Sequence, residues 1–249
     1  LRALEWGDPV ESLDGLAYRD GERVVINPPT GDMVPFDDYP WPARHLLPNE
    51  IYSSFVSQRR NFTIMLTSTG CPFKCVYCAI VPLKVRARDP ERVVEEIEHC
   101  VKEHGVREID FFDATFFLNR DSSMVLMDLI RRRKLDLEWT CRSRVDVVDD
   151  ELLAAARHAG CRMIYYGIES GSHAILHNVR KQTNTAQISE AIRATRRQGI
   201  RSLGFLMVGN PGETRATIRQ TARFARSLKL DYVQICRTIA KPGTELDQR

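Results

Sequence analysis

Phe62-Thr63-Ile64-Met65-Leu66 followed by Thr67-Ser68-Thr69-Gly70-Cys71-Pro72-Phe73-Lys74-Cys75-Val76-Tyr77-Cys78 is the stretch that orders the rest of the chain. Its first five residues are apolar or β-branched and read as a strand. The polar, glycine-containing run behind them reads as a loop. Outward from this strand the same rhythm repeats. Strands are expected at Glu108–Phe112, Leu137–Cys141, Arg162–Tyr166, Ser202–Val208 and Tyr232–Cys236. Between them the apolar spacing changes to that of helices, over Pro90–His104, Ser122–Arg133, Asp150–His158, Thr185–Gln198 and Arg215–Ser227. Val93, Ile97, Cys100 and Val101 share one helical face, and Ile188, Ala191, Ile192 and Thr195 repeat it. Gly105, Gly160 and Gly199 each follow a helix, where a left-handed residue ends the last turn.

Strand–helix alternation over six units predicts a parallel α/β sheet with right-handed crossovers. Phe205-Leu206-Met207-Val208 is apolar throughout, as a strand covered on both faces requires. Six units fall short of the eight of a closed barrel. Periodicity fits both an open doubly wound sheet and a partial (β/α)6 TIM-like barrel, and the partial barrel is carried forward as the expected fold. The first sixty residues differ. Leu16–Tyr18 and Val24–Ile26 flank Asp20-Gly21, which predicts a β-hairpin closed by a type I′ turn. Asn27-Pro28-Pro29, Pro35, Pro40, Pro42 and Pro48 then predict an extended Pro-rich strap, because proline fixes φ and removes backbone donors. The expected organisation is 1–60 as hairpin and linker and 61–249 as the core domain.

The 249 residues carry a formal net charge of only +3, so global charge makes no case for a nucleic-acid partner. The basic runs Arg131–Lys134 and Arg196-Arg197 fall at helix ends, where solvated cations suit the helix dipole. No run of about 18 apolar residues is present and the start has no apolar signal core, so a cytoplasmic location without a membrane span is expected. Seven cysteines in such a chain do not form a disulfide framework. Cys100, Cys141, Cys161 and Cys236 lie on apolar helix or strand positions and are expected as small buried hydrophobes.

In parallel α/β folds the site forms where strands end. The residues following the six strands are the cysteine loop, Asp113-Ala114-Thr115-Phe116, Arg142-Ser143-Arg144, Gly167-Ile168-Glu169-Ser170, Gly209-Asn210-Pro211-Gly212-Glu213 and Lys241-Pro242-Gly243-Thr244-Glu245. Thiols, carboxylates and an arginine would therefore meet at one rim. The C-x3-C-x2-C spacing of Cys71, Cys75 and Cys78 gives three soft ligands on one tight loop. Structural zinc takes four ligands, usually as two pairs, and no fourth Cys or His is near. A Cys75–Cys78 dithiol would not need Cys71. For Glu213, beside a helix start, stabilisation of the helix dipole is the expected role.

The cysteine spacing, with the aromatic Tyr77 before the third cysteine, resembles the radical S-adenosylmethionine superfamily over roughly residues 61–246. The resemblance implies a [4Fe–4S] cluster on Cys71, Cys75 and Cys78. S-adenosylmethionine would occupy the fourth iron and be cleaved reductively to methionine and a 5′-deoxyadenosyl radical. It further implies Tyr77 beside the adenine and the Asp113 loop at the methionyl amino group, through backbone or through Asp113 itself. Arg144 would meet the methionyl carboxylate, Glu169 and Ser170 the ribose hydroxyls, and Leu206 the adenine. An electron donor such as flavodoxin or ferredoxin is implied as partner, with a small-molecule substrate. Pro40-Trp41-Pro42-Ala43-Arg44 and Gly167-Ile168-Glu169-Ser170-Gly171-Ser172 resemble the class associated with cobalamin-binding domains, whose members methylate or cyclise. Cobalamin would then sit on a domain outside this chain. A tRNA methylthiotransferase-like core and a non-catalytic Fe–S or zinc scaffold are the alternative readings.

Overall fold

The structure, a computed structural model, describes residues 5–28, 34–80 and 84–248. It contains two compact units, Leu1–Tyr39 and Pro40–Arg249. In the smaller, β1 (Ala17–Asp20) and β2 (Arg23–Ile26) form an antiparallel hairpin in which Asp20 pairs with Arg23. The turn residues are thus Gly21 and Glu22, and of these only Gly21 has positive φ, +57°. That is the pattern of a type II′ turn, not the expected type I′ at Asp20-Gly21. The one-residue shift spares Asp20 a left-handed backbone. Pro29 of the expected strap lies outside the described residues.

In the larger unit the strap passes through short 3-10 turns at Arg44–Leu46 and Asn49–Ile51 before the sheet begins. The strands are β3 (Phe62–Met65), β6 (Glu108–Phe111), β7 (Glu138–Ser143), β8 (Cys161–Glu169), β9 (Arg201–Val208) and β10 (Tyr232–Arg237). Two very short strands, β4 (Ser68–Thr69) and β5 (Arg86–Ala87), pair antiparallel outside this sheet. The helices are α1 (Pro90–Glu103), α2 (Arg120–Arg133), α3 (Asp150–His158), α4 (His173–Asn178), α5 (Thr185–Arg197) and α6 (Arg215–Leu228). The six strands are all parallel and lie in the order β10-β9-β8-β7-β6-β3. A doubly wound sheet would reverse strand order at a switch point. Here chain order is kept throughout, so the sheet is the partial barrel expected, open between β3 and β10.

Local chemistry explains the boundaries. Asp89, Asn119, Asp149, Asn184 and Thr214 each accept a backbone N–H at a helix start. Gly105, Gly160 and Gly199 have φ of +61°, +97° and +69°, as their positions after helices require. At Gly160 a Cβ would also stand 2.8 Å from the Leu137 carbonyl oxygen. The helices pack on the outer face, where Trp139 clusters with Phe111 and Phe116 and donates its indole N–H to the Ala159 carbonyl at 2.7 Å. The inner face is plugged at its lower end by Met163, Tyr165 and Leu203 against Val56 of the strap. Cys100, Cys141 and Cys161 are fully buried. Cys236 departs from expectation: it is exposed on the edge strand β10, which has one strand neighbour only. No helix among the described residues is long and apolar enough to cross a membrane.

The strap is fastened by charge. Glu96 of α1 is 2 % exposed and holds Arg44 Nη1 on one carboxylate oxygen and Arg88 Nη1 on the other, each at 2.6 Å. Arg44 also donates to the Ile64 carbonyl at the end of β3. Removing one partner of a buried pair leaves a charge with no compensation. Glu96→Ala is expected to lower unfolding free energy by about 3–5 kcal/mol in urea titration, while the exposed Glu95→Ala changes it by less than about 0.5 kcal/mol.

Candidate active site

The cysteine loop is held at its stem. The Asp113 carboxylate, fully buried at the end of β6, accepts the backbone N–H of Thr67 (3.1 Å), the Thr67 hydroxyl (2.9 Å), the Ser68 hydroxyl (2.7 Å) and the Ser68 N–H. Pairing of β4 with β5 then closes the loop's base. Deeper in the loop Val76 is 2 % exposed and tied twice, donating to the Val179 carbonyl at 3.2 Å and accepting from the Leu246 N–H at 2.9 Å. With these anchors, Cys71, Cys75 and Cys78 all line one cleft of about 250 Å³ at the carboxyl rim of the sheet. Cys75 is buried, and Cys71 and Cys78 are half-buried.

A cluster takes its thiolates on separate irons. Three thiols lining one cleft, with a cationic side chain beside them, suit that donor set. That cation is Arg144, whose Nη1 lies 3.9 Å from Cys75 Sγ while its guanidinium stacks 3.6 Å over the Phe73 ring. Its remaining edge is committed: Nε and Nη2 grip Asp146 at 2.8 and 2.7 Å, and Nη2 also donates to the Lys181 carbonyl at 2.8 Å.

Glu169 ends β8 with a left-handed backbone, φ +64°, unusual for a residue with a side chain. Its Oε1 accepts from Lys181 Nζ at 3.0 Å, with both side chains under a tenth exposed. Lys181 itself is bracketed by left-handed Arg180 and Gln182, φ +52° and +59°. Three strained residues around one ion pair mark a site over-determined by its surroundings. Gly167 makes the room: a Cβ there would stand 2.6 Å from both Glu169 Oε1 and Lys181 Nζ. Tyr77 is half-buried beside Glu169 and Cys75, and desolvation of its hydroxyl, reinforced by the Glu169 charge, pushes that group well above the usual tyrosine range. Tyr77, Cys78 and Glu169 also border a second cavity of about 340 Å³, walled by Leu206 and reached by Cys236.

Sequence reasoning thus names residues that the fold brings together, with three differences. Asp113 turns its carboxylate onto Thr67 and Ser68, and the cleft is met instead by Ala114 and Thr115. Ser170 is fully buried and bonded to Thr221 Oγ1 of α6 at 2.9 Å, away from the cleft. Glu213 accepts the Gly209 and Asn210 N–H groups and so closes the β9–α6 loop. Lys181 and Arg142 are functional candidates that sequence reasoning leaves unassigned. Arg142 lines the same cleft from β7, held by both oxygens of Asp110 at 2.8 and 3.0 Å and lying 3.6 Å over the Phe112 ring.

The family model described as the Radical SAM superfamily matches residues 65–225, from the last residue of β3 into α6. The chain belongs to the radical SAM superfamily. An uncharacterized methyltransferase of Pyrococcus horikoshii is 34% identical over 247 residues, 98% of this chain and 53% of that protein. A Methanocaldococcus jannaschii protein named as a methylthiotransferase is 31% identical over 247 residues, 94% of this chain and 53% of that one. The anaerobic magnesium-protoporphyrin IX monomethyl ester cyclase of Cereibacter sphaeroides is 33% identical over 244 residues, 95% of this chain and 39% of the enzyme. Among solved structures the radical S-adenosylmethionine methyltransferase TsrM of Kitasatospora setae, with cobalamin and a [4Fe–4S] cluster bound, shares the fold at a TM-score of 0.79 and 19% identity, covering 98% of this chain and 50% of TsrM. The radical SAM chain therefore spans about half the length, or less, of the proteins it matches.

Burial pushes the Asp113 carboxyl above its ordinary value, and its four donors offset this only in part. A carboxyl raised in the folded state stabilises the fold most when protonated, and that contribution is lost as pH rises through the folded value. Asparagine imitates the protonated form. Denaturant titrations between about pH 3 and 6 are expected to show the stability difference, wild type minus Asp113→Asn, falling as pH rises.

Proposed function

We propose that the chain is the catalytic core of a radical S-adenosylmethionine enzyme that methylates or cyclises a small-molecule substrate, with a [4Fe–4S] cluster on Cys71, Cys75 and Cys78. The observation that carries this reading is one cleft lined by all three thiols and by the buried Glu169–Lys181 pair. When bound, the cluster supplies the electron that opens the sulfonium of S-adenosylmethionine to methionine and a 5′-deoxyadenosyl radical. The protein's part is binding and orientation. Glu169 keeps acceptor capacity for a ribose diol while Oε1 is held by Lys181. Lys181 keeps further N–H donors for the methionyl carboxylate. This role suits Lys181 better than Arg144, whose fork is committed to Asp146 and whose free end sets a positive charge beside Cys75. Backbone at Ala114 and Thr115, rather than the Asp113 side chain, is the partner for the methionyl amine. Tyr77 and Leu206 offer apolar walls for the adenine.

Relatives named methyltransferase and cyclase support the two reaction classes, and the cobalamin-bound fold neighbour supports cobalamin carried outside this core. A low-potential protein such as flavodoxin or ferredoxin would supply the electron. A methylthiotransferase reading draws on the Methanocaldococcus relative; it requires a second cluster, so about eight irons per chain in place of about four would favour it.

After anaerobic reconstitution and reduction, wild type is expected to release 5′-deoxyadenosine from S-adenosylmethionine and Cys75→Ala none, measured by liquid chromatography. Lys181→Met is expected to weaken S-adenosylmethionine binding about tenfold or more in equilibrium dialysis, the scale of one lost charge-assisted hydrogen bond. Equal affinity in the variant would remove Lys181 from the site.

A further inference from the structure

Helix α6 carries Arg215, Arg219, Arg223 and Arg226, all exposed. Spacings of four, four and three place them within an arc of roughly 80° on one face. Between Thr214 and Leu230 there is no Asp or Glu, and none of the four enters an ion pair among the described residues. On the other helices most cations are paired. Arg131 and Arg132 pair with Asp128, Arg133 with Glu98, Arg193 with Glu190, and Arg197 with Asp150 and Glu190. Like charges four residues apart weaken a helix, so the α6 stripe is a cost to the fold with no return inside it.

The opposite face of α6 rests on the turn that follows Glu169. Thr221 Oγ1 bonds Ser170 Oγ and accepts the Gly171 N–H at 3.0 Å. Phe224 packs so closely on Gly171 that a Cβ there would lie 2.6 Å from Phe224 Cβ. The stripe is thus one helix diameter, about 10–12 Å, from the turn that follows Glu169. The helix start is linked to the cysteine loop as well: Asn178 donates to the Pro211 carbonyl at 3.0 Å, and the adjacent Val179 carbonyl holds Val76.

We propose that the α6 arginine stripe is the docking surface for an acidic one-electron carrier protein. The proposal rests on the radical-enzyme reading above, which requires an electron to be delivered and the carrier to leave. A charged, weakly apolar face gives fast, transient, salt-sensitive association of that kind. An acidic protein fits better than a nucleic acid, because the stripe has no exposed aromatic on which bases could stack and the chain's net charge is only +3. In the docked complex the carrier loses one electron and the cysteine-held group gains it; no bond forms or breaks and no proton moves.

The test compares wild type with Arg219→Glu/Arg223→Glu, using flavodoxin as the probe. Calorimetric titration of oxidised flavodoxin into the iron-loaded protein is expected to show binding that weakens with added salt in wild type and falls about tenfold or more in the variant. With reduced flavodoxin the variant's rate of 5′-deoxyadenosine formation is expected to fall by a similar factor. With titanium(III) citrate, a small chemical reductant, both proteins are expected to react equally. Unchanged flavodoxin binding and rate in the variant would overturn the proposal, as would tighter wild-type binding to a single-stranded RNA 20-mer than to flavodoxin. If the double variant fails to fold, Arg219→Gln/Arg223→Gln carries the same comparison. Absence of product from wild type with titanium(III) citrate would count against the radical reading, while the binding titration would still decide the docking surface.

Discussion

Both oxygens of Asp113 are used on Thr67 and Ser68, and the rest of the site follows from that clamp. It joins the end of β6 to the first residues after β3, two strands paired in register from Phe62–Glu108 to Met65–Phe111. The cysteine loop therefore leaves the sheet at a fixed point and in a fixed direction. Without that constraint, three thiols on a loop with little regular structure would have no common orientation. The clamp has a cost, since a fully buried carboxylate is desolvated, and it is tolerated because every lone pair used there meets a donor from the loop itself.

Opposite this clamp, the site is closed by a second buried arrangement. Lys181 and Glu169 neutralise one another, and three left-handed residues with side chains hold them there. Such a pair is no gain to stability over well-packed apolar residues. Its effect is placement: it fixes one oxygen of Glu169 in the cleft that the thiols also line. Arg144 adds a third fixed charge, stacked on Phe73 and anchored by Asp146. A charged ligand entering this cleft would meet groups already oriented, with little reorganisation left to pay.

The sequence was most legible where a single period or a single loop carried the information. Helical faces such as Val93-Ile97-Cys100, the helix-ending glycines, and the strand-end position of Cys71, Cys75 and Cys78 all depend on local spacing. What could not be read depends on partners far along the chain. Ser170 turns to Thr221, fifty-one residues on. Lys181 looks in sequence like any surface lysine, and only the folded rim, with Gly167 removing a Cβ, makes it a buried cation. Asp113 could equally have faced a ligand, and the choice is made by hydroxyls at Thr67 and Ser68, more than forty residues earlier in the chain. Cys236 carried an apolar strand pattern, yet it sits at the sheet's edge, which only the strand order reveals.

The central claim is that the three thiols hold a cluster with one iron open to a small ligand. Electron paramagnetic resonance of the reconstituted, reduced chain, recorded before and after S-adenosylmethionine is added, addresses it most directly. The account predicts about four irons per chain and a signal whose g values shift on addition, because the ligand binds the open iron. A signal that S-adenosylmethionine leaves unchanged, or a chain that takes up a single zinc ion in place of iron, would contradict it.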